Sequence, residues 1–179
     1  MIKKVVVIGP ESTGKSTLCE QLANHFGTSW VPEYAREYLI TNGARYTYED
    51  LLVIAQQQVA QEDRLAATLE ASGTSNLLFI DTDLYVMKVW CEYVFGKCHP
   101  WILEQIALRP YDLYLLCDTD LPWVKDELRE YPDLESRREL YHIYKDIMLN
   151  QGVPWTIISG NYEQRLEKAV KIVNEFLNH

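Results

Sequence analysis

The run Gly9-Pro10-Glu11-Ser12-Thr13-Gly14-Lys15-Ser16 sets two glycines around four residues and follows the second with a lysine and a hydroxyl. It lies between Lys3-Lys4-Val5-Val6-Val7-Ile8, a β-branched run suited to a buried parallel strand, and Thr17 to Phe26, where Leu18, Leu22 and Phe26 recur at helical spacing. Strand, loop and helix in that order aim the helix N-terminus at the loop. Gly9 and Gly14 then let backbone N–H groups turn inward around a polyphosphate, Lys15 reaches the β and γ phosphates, and Ser16 is a ligand for magnesium. The pattern predicts a nucleoside triphosphate site.

Short apolar runs at Ser29 to Pro32, Asn76 to Ile80, Leu113 to Cys117 and Trp155 to Ser159 predict further strands, separated by segments of helical periodicity. Alternation of this kind predicts an α/β fold with a mostly parallel sheet and helices on both faces. Thr47 and Asp50 read as a capping box opening a long helix that ends near Ser72-Gly73. Leu134 to Gln151, closed by Gly152, and Glu163 to Leu177 read as two more helices. Tyr85, Val89 and Tyr93 share a face of the helix after Asp83, with Trp90 beside them, a stripe whose default reading is core packing and whose alternative is contact of one aromatic with substrate.

In Leu77-Leu78-Phe79-Ile80-Asp81-Thr82-Asp83, four apolar residues deliver a carboxylate to the carboxyl end of a strand. Ligands of open α/β sheets bind there, so Asp81 is expected to face the phosphate loop and hold magnesium, directly or through water. Asp83 either contacts substrate hydroxyls or caps the helix that starts at that point. The stretch Val31-Pro32-Glu33-Tyr34-Ala35-Arg36-Glu37 leaves the second strand. Glu33 stands where a carboxylate would position an acceptor hydroxyl and take its proton; the competing reading pairs it with Arg36 at a helix start. Beyond the fourth strand, Asp118 to Arg129 is rich in charge, and Arg129 is either a lid arginine closing over the transferred phosphate or part of a solvated helix.

The chain has 179 residues, 47% of them hydrophobic, enough for a single domain spanning 1–179. Its formal net charge of −9 argues against a nucleic-acid or anionic-membrane surface and favours small-molecule partners. The N-terminus reads as a charged strand and no run approaches a membrane span, so a cytoplasmic location is expected. Cys19, Cys91, Cys98 and Cys117 form no CxxC pair, and Cys91, Cys98 and His99 lack a fourth close ligand for zinc.

Taken in order, several segments resemble the ribosylnicotinamide kinase domain of the NadR family. They are the phosphate loop, Glu33-Tyr34-Ala35-Arg36-Glu37, Phe79-Ile80-Asp81-Thr82-Asp83 and Gly96-Lys97-Cys98-His99-Pro100, then Trp123 to Arg129, and finally Val153-Pro154-Trp155 with Tyr162 and Arg165. The resemblance implies a P-loop fold with five parallel strands ordered 2-3-1-4-5, as in nucleoside and nucleotide kinases. It implies ATP- and Mg²⁺-dependent phosphorylation of nicotinamide riboside to the mononucleotide, in NAD salvage. Lys15, Glu33, Asp83 and Arg129 are then the expected catalytic set, and Ser16 and Asp81 the metal ligands. Gly9, Glu11, Ser12, Thr13, Gly14, Lys15, Ser16 and Thr17 would contact ATP, with adenine near Gly160, Asn161 and Tyr162. Glu33, Tyr34, Arg36, Asp83 and Trp123 would meet the acceptor, the aromatic pair by stacking on a cationic ring. The stretch carries no helix-turn-helix segment and no H-x-G-H motif, so gene regulation and adenylyl transfer are not expected of it. Glu127 stands where relatives often have glycine. Alternatives are another small-molecule or nucleotide kinase, or a non-catalytic ATP- or NAD-binding sensor.

Overall fold

The computed structural model describes residues 1–125, 128, 130–131 and 133–178. Its strands are β1 (Lys3–Ile8), β2 (Ser29–Val31), β3 (Leu77–Asp81), β4 (Leu113–Cys117) and β5 (Trp155–Ile158). The helices are α1 (Lys15–Phe26), α2 (Tyr34–Asn42), α3 (Tyr48–Ser72), α4 (Leu84–Phe95), α5 (Pro100–Leu108), α6 (Leu134–Asn150) and α7 (Tyr162–Leu177). The strands form one parallel sheet in the order β2-β3-β1-β4-β5. Its three central members are continuous apolar runs because helices cover both faces and leave no solvent side on which a polar residue could alternate.

Element ends follow local chemistry. β2 stops at Val31, one residue short of the expected Pro32, because proline has no N–H to give the ladder. β3 begins at Leu77 rather than Asn76 and runs on to Asp81, while β5 ends at Ile158 rather than Ser159. Thr47 and Asp50 do form a capping box, and α3 ends where Gly73 takes a left-handed φ of 64°. α6 ends at Asn150, not by a glycine cap: the Gln151 carboxamide donates to Met148 and Val153 carbonyls and accepts from the Val153 N–H at 2.6 Å.

One core lies between the sheet and helices α1 and α7, with Val5, Val7, Leu22, Phe79, Leu115 and Val173 among its members. A second, on the opposite face, joins Val6, Ile8, Ile80 and Leu116 to Val89, Leu140 and Tyr144. A third contains no strand residue: Ala35, Leu51, Ile54, Leu84, Met87, Cys91 and Ile102 pack α2 to α5 against one another. Among the described residues no helix is long and apolar enough to cross a membrane.

Candidate active site

The phosphate loop leaves β1 and enters α1 at the carboxyl edge of the sheet. Gly9, Ser12 and Gly14 adopt positive φ values of 144°, 57° and 76°, the kind of backbone that turns successive N–H groups toward one side, as a concave anion site requires. Gly9 has a second reason to be glycine: a Cβ there would lie 2.8 Å from the Cys117 carbonyl oxygen. The loop is braced from within and behind. Thr13 Oγ1 donates to the Pro10 carbonyl at 2.7 Å, and Lys15 Nζ donates to the same oxygen at 2.9 Å. Arg165, on α7 and 2% exposed, donates to the carbonyls of Thr13, Asp118 and Gly160 and pairs with Asp120. One guanidinium thus ties the loop to the ends of β4 and β5.

Ser16, in the first turn of α1, donates its hydroxyl to Asp81 Oδ2 at the end of β3. The other oxygen, Oδ1, is buried with no hydrogen-bond partner, an arrangement that costs free energy unless a cation or water meets it. A carboxylate and a hydroxyl side by side next to a phosphate-binding loop fit magnesium, which takes few protein oxygens and completes its shell with water and phosphate. Burial raises the Asp81 carboxyl above its ordinary range, and the charge of Glu33 adds to the rise; Lys15 and the Ser16 hydroxyl oppose it. A bound dication would favour the ionised form.

A cavity of about 260 Å³ opens beside the loop. The whole stretch from Gly9 to Thr17 lines it, together with Glu33 and Arg36 from the β2 exit and Tyr162 from the start of α7. Its far end is apolar and aromatic: Val89, Trp90 and Tyr93 from α4, Tyr144 from α6, and Tyr131. Trp90 is held by donating its indole N–H to the Tyr46 hydroxyl at 2.8 Å, which in turn donates to Glu130 at 2.9 Å. Glu11 and Ser12 also reach across the mouth, accepting from the backbone N–H groups of Glu130 and Val124 at 3.2 and 2.9 Å.

Several expected residues lie elsewhere. Asp83 is 2% exposed and does not line the cavity: it accepts from the Tyr85 N–H at 3.0 Å as the N-cap of α4 and from the Tyr114 hydroxyl at 2.7 Å. The capping alternative therefore describes it, and its carboxyl is pushed up to about 7 by burial. Tyr34 also stays outside, packed in the third core beside Tyr38, because the first turn of α2 faces α3. Trp123 does not line the cavity, and its indole nitrogen is buried without a partner. Asn161 is occupied as the N-cap of α7, in a capping box with Gln164. Arg129 and Glu127 lie outside the described residues. Trp90 and Tyr93 of α4, for which the sequence favours core packing over substrate contact, do reach the cavity, as α4 starts three residues after Asp81 and crosses the site.

A family model described as an AAA domain matches residues 4–165. The trifunctional NAD biosynthesis/regulator protein NadR of Escherichia coli (strain K12) is 27% identical over 98% of this chain and 43% of its own length. Its counterpart in Salmonella typhimurium is 25% identical over 98% and 43%. The chain thus spans less than half of the curated relatives it matches. Among solved structures, NadR in complex with NR superposes with a TM-score of 0.81 at 25% identity, over 99% of this chain and 50% of that one. A deoxyadenosine kinase from M. mycoides shares the fold alone, with a TM-score of 0.58 at 12% identity over 96% and 99%. The sheet order, the phosphate loop and these likenesses agree: the fold is that of the P-loop nucleoside kinases, and the chain belongs to the AAA-domain family matched over residues 4–165, with NadR among its homologues.

Proposed function

We propose that this chain transfers the γ-phosphate of ATP to the 5′-hydroxyl of nicotinamide riboside, giving nicotinamide mononucleotide in NAD salvage. The observation that carries the reading is the cavity: one space of about 260 Å³ is lined by the phosphate loop, by Ser16, whose hydroxyl is bonded to Asp81 behind it, by the Glu33 carboxylate and by the aromatic side chains of Trp90, Tyr93, Tyr131 and Tyr144. The complex of NadR with NR supports this choice of acceptor. A flat, cationic ring suits an aromatic wall by stacking and by attraction to π faces.

The N–H groups of the loop and the Lys15 ammonium hold the β and γ phosphates, and Tyr162 at the cavity edge borders the nucleoside end of ATP. Ser16 and Asp81 would hold magnesium, which when bound neutralises phosphate charge. Glu33 accepts a hydrogen bond from the acceptor hydroxyl, orients its oxygen toward the γ-phosphorus and takes the proton as the new P–O bond forms and the bond from the γ-phosphorus to the bridging oxygen breaks, releasing ADP. Trp90 and Tyr93 exclude water from the acceptor, which keeps hydrolysis from competing. Such positioning accounts for most of what a phosphoryl-transfer site must supply.

The test is ADP release with nicotinamide riboside, nicotinic acid riboside, uridine and thymidine in parallel, with the product identified by mass spectrometry and Lys15→Ala as the inactive control. Nicotinamide mononucleotide and ADP in equal amounts are the expected outcome. ADP formed equally with no acceptor would make the protein an ATPase and refute the proposal.

A further inference from the structure

The two carboxylates invoked above, Glu33 and Asp81, leave neighbouring strands. β2 and β3 stay in register through Val31 and Ile80. Past that pair Pro32 has no N–H to continue the ladder. Asp81, the residue after Ile80, is still paired with Val7 of β1, but Glu33 has left the β2–β3 ladder, so no strand pairing sets the distance between the two carboxylates.

Gln58 spans that gap. It lies on α3, 3% exposed, and both ends of its carboxamide meet backbone. Oε1 accepts from the N–H of Tyr34, the residue after Glu33, at 2.7 Å. Nε2 faces the carbonyls of Thr82 at 3.3 Å and Asp81 at 3.5 Å. Only this amide orientation serves one donor and two acceptors, so the side chain cannot flip without losing both sides. The Tyr34 N–H is one of the groups a helix start leaves without an internal partner, and Gln58 satisfies it from a different helix. Gln61, three residues on, adds a bond from Nε2 to the Pro32 carbonyl at 2.9 Å.

On the β3 side the held residue is strained. Thr82 has a φ of 67°, a left-handed conformation that a β-branched side chain rarely takes. Such a backbone persists where its surroundings over-determine it. Here the Thr82 N–H donates to the Val7 carbonyl at 3.1 Å while its own carbonyl faces Gln58.

We infer that Gln58 is a positioning residue for phosphoryl transfer: its carboxamide clamps the exits of β2 and β3 so that Glu33 and the Ser16–Asp81 pair converge on one reacting group. The inference rests on the kinase reading above. Gln58 does not line the cavity, so it acts through those residues and not on substrate. A clamp of this kind leaves binding of either substrate nearly intact and slows the chemical step, since a displacement of about 1 Å from reacting geometry can cost ~100-fold in rate.

The experiment compares Gln58→Met, which keeps the volume and loses every bond, with Gln58→Glu, read above pH 8, which keeps an acceptor for the Tyr34 N–H and, when ionised, has no donor toward β3. Steady-state kinetics with ATP and nucleoside are read beside amide hydrogen exchange and a thermal melt. For Gln58→Met we expect kcat to fall ~10- to 100-fold with both KM values within about threefold, and faster exchange at the Tyr34 amide. For Gln58→Glu we expect slow kcat with Tyr34 still protected. Wild-type kcat in either folded variant overturns the inference, as does a raised nucleoside KM at unchanged kcat, which would make Gln58 a substrate contact. If Gln58→Met does not fold, the Gln58→Glu kinetics decide. If the wild-type protein phosphorylates no nucleoside, the kinase reading fails; unchanged Tyr34 exchange in Gln58→Met separately refutes the clamp.

Discussion

Asp83 offers a direct measure of what a buried carboxyl does to this fold. Its carboxyl rises from an ordinary 3.8 to about 7, with burial the leading cause and the Tyr114 hydroxyl and Tyr85 N–H pulling the other way. Between those two pH values the folded chain holds a proton that the unfolded chain has released, so stability falls as pH rises through the window and levels off above it. The full span corresponds to about 4 kcal/mol, of which about 3 kcal/mol falls between pH 5 and pH 8. Asp83→Asn removes this dependence. Asparagine is as good an N-cap for α4, and its amide can donate to the Tyr114 oxygen where the carboxylate accepted. With asparagine standing in for the protonated carboxyl, and about 1–2 kcal/mol set aside for its less favourable hydrogen bonds, the variant should be about 2–3 kcal/mol more stable than wild type at pH 8. Urea unfolding at pH 5 and pH 8 measures both quantities, and kcat with ATP and nucleoside should stay within a few-fold of wild type. A variant less stable than wild type at pH 8, or a difference that does not change with pH, would refute the electrostatic reasoning. A folded variant with kcat lost would return Asp83 to the substrate.

Glu33→Gln should lower kcat by ~10²–10⁴ with a smaller change in the KM for ATP, the range for loss of a positioned base; near-normal turnover would remove Glu33 from the chemistry. Gly9→Ala puts a methyl group 2.8 Å from the Cys117 carbonyl at a φ of 144°, so the loop must shift. Calorimetry should find affinity for a non-hydrolysable ATP analogue reduced at least ~10-fold, and wild-type affinity would contradict the close approach. Arg165→Met takes the donor from the Thr13, Asp118 and Gly160 carbonyls, while the part-exposed Asp120 keeps its bond from the Gly160 N–H; it should cost about 2–4 kcal/mol in urea unfolding, and a loss below about 1 kcal/mol would show that the loop does not depend on this brace.

The strands were legible because burial on both faces writes them as unbroken apolar runs, and β4 kept its expected bounds of Leu113 and Cys117. Pro32 was included in β2 because composition does not reveal where a ladder needs an N–H. The strand order came from family likeness, since parallel strands carry no local sign of their neighbours. In the site, the loop was readable because its spacing is a backbone requirement, and Asp81 because an apolar strand ending in a carboxylate is rare. Which aromatics face the cavity was not. Trp90, Tyr93 and Tyr34 are alike as core formers, and only the packing of α2 onto α3 turns Tyr34 away while α4 brings the other two to the cavity. Gln58 gave no signal at all among Gln56, Gln57 and Gln61, because its role depends on where a proline breaks a ladder two elements away.

The third core, built without a single strand residue, makes the protein modular. The helices α2 to α5 enclose their own apolar interior and also contribute Ala35, Leu39 and Trp90 to the acceptor end of the cavity. Phosphate-loop support comes from elsewhere, through Arg165 and the first core. Substitutions confined to this third core can therefore reshape that end of the cavity while leaving Arg165 and the first core untouched, although Gln58 and Val89 still tie α3 and α4 to the sheet. On the kinase reading proposed above, a lineage could change its acceptor by repacking one cluster of helices while the phosphate loop stayed as it was.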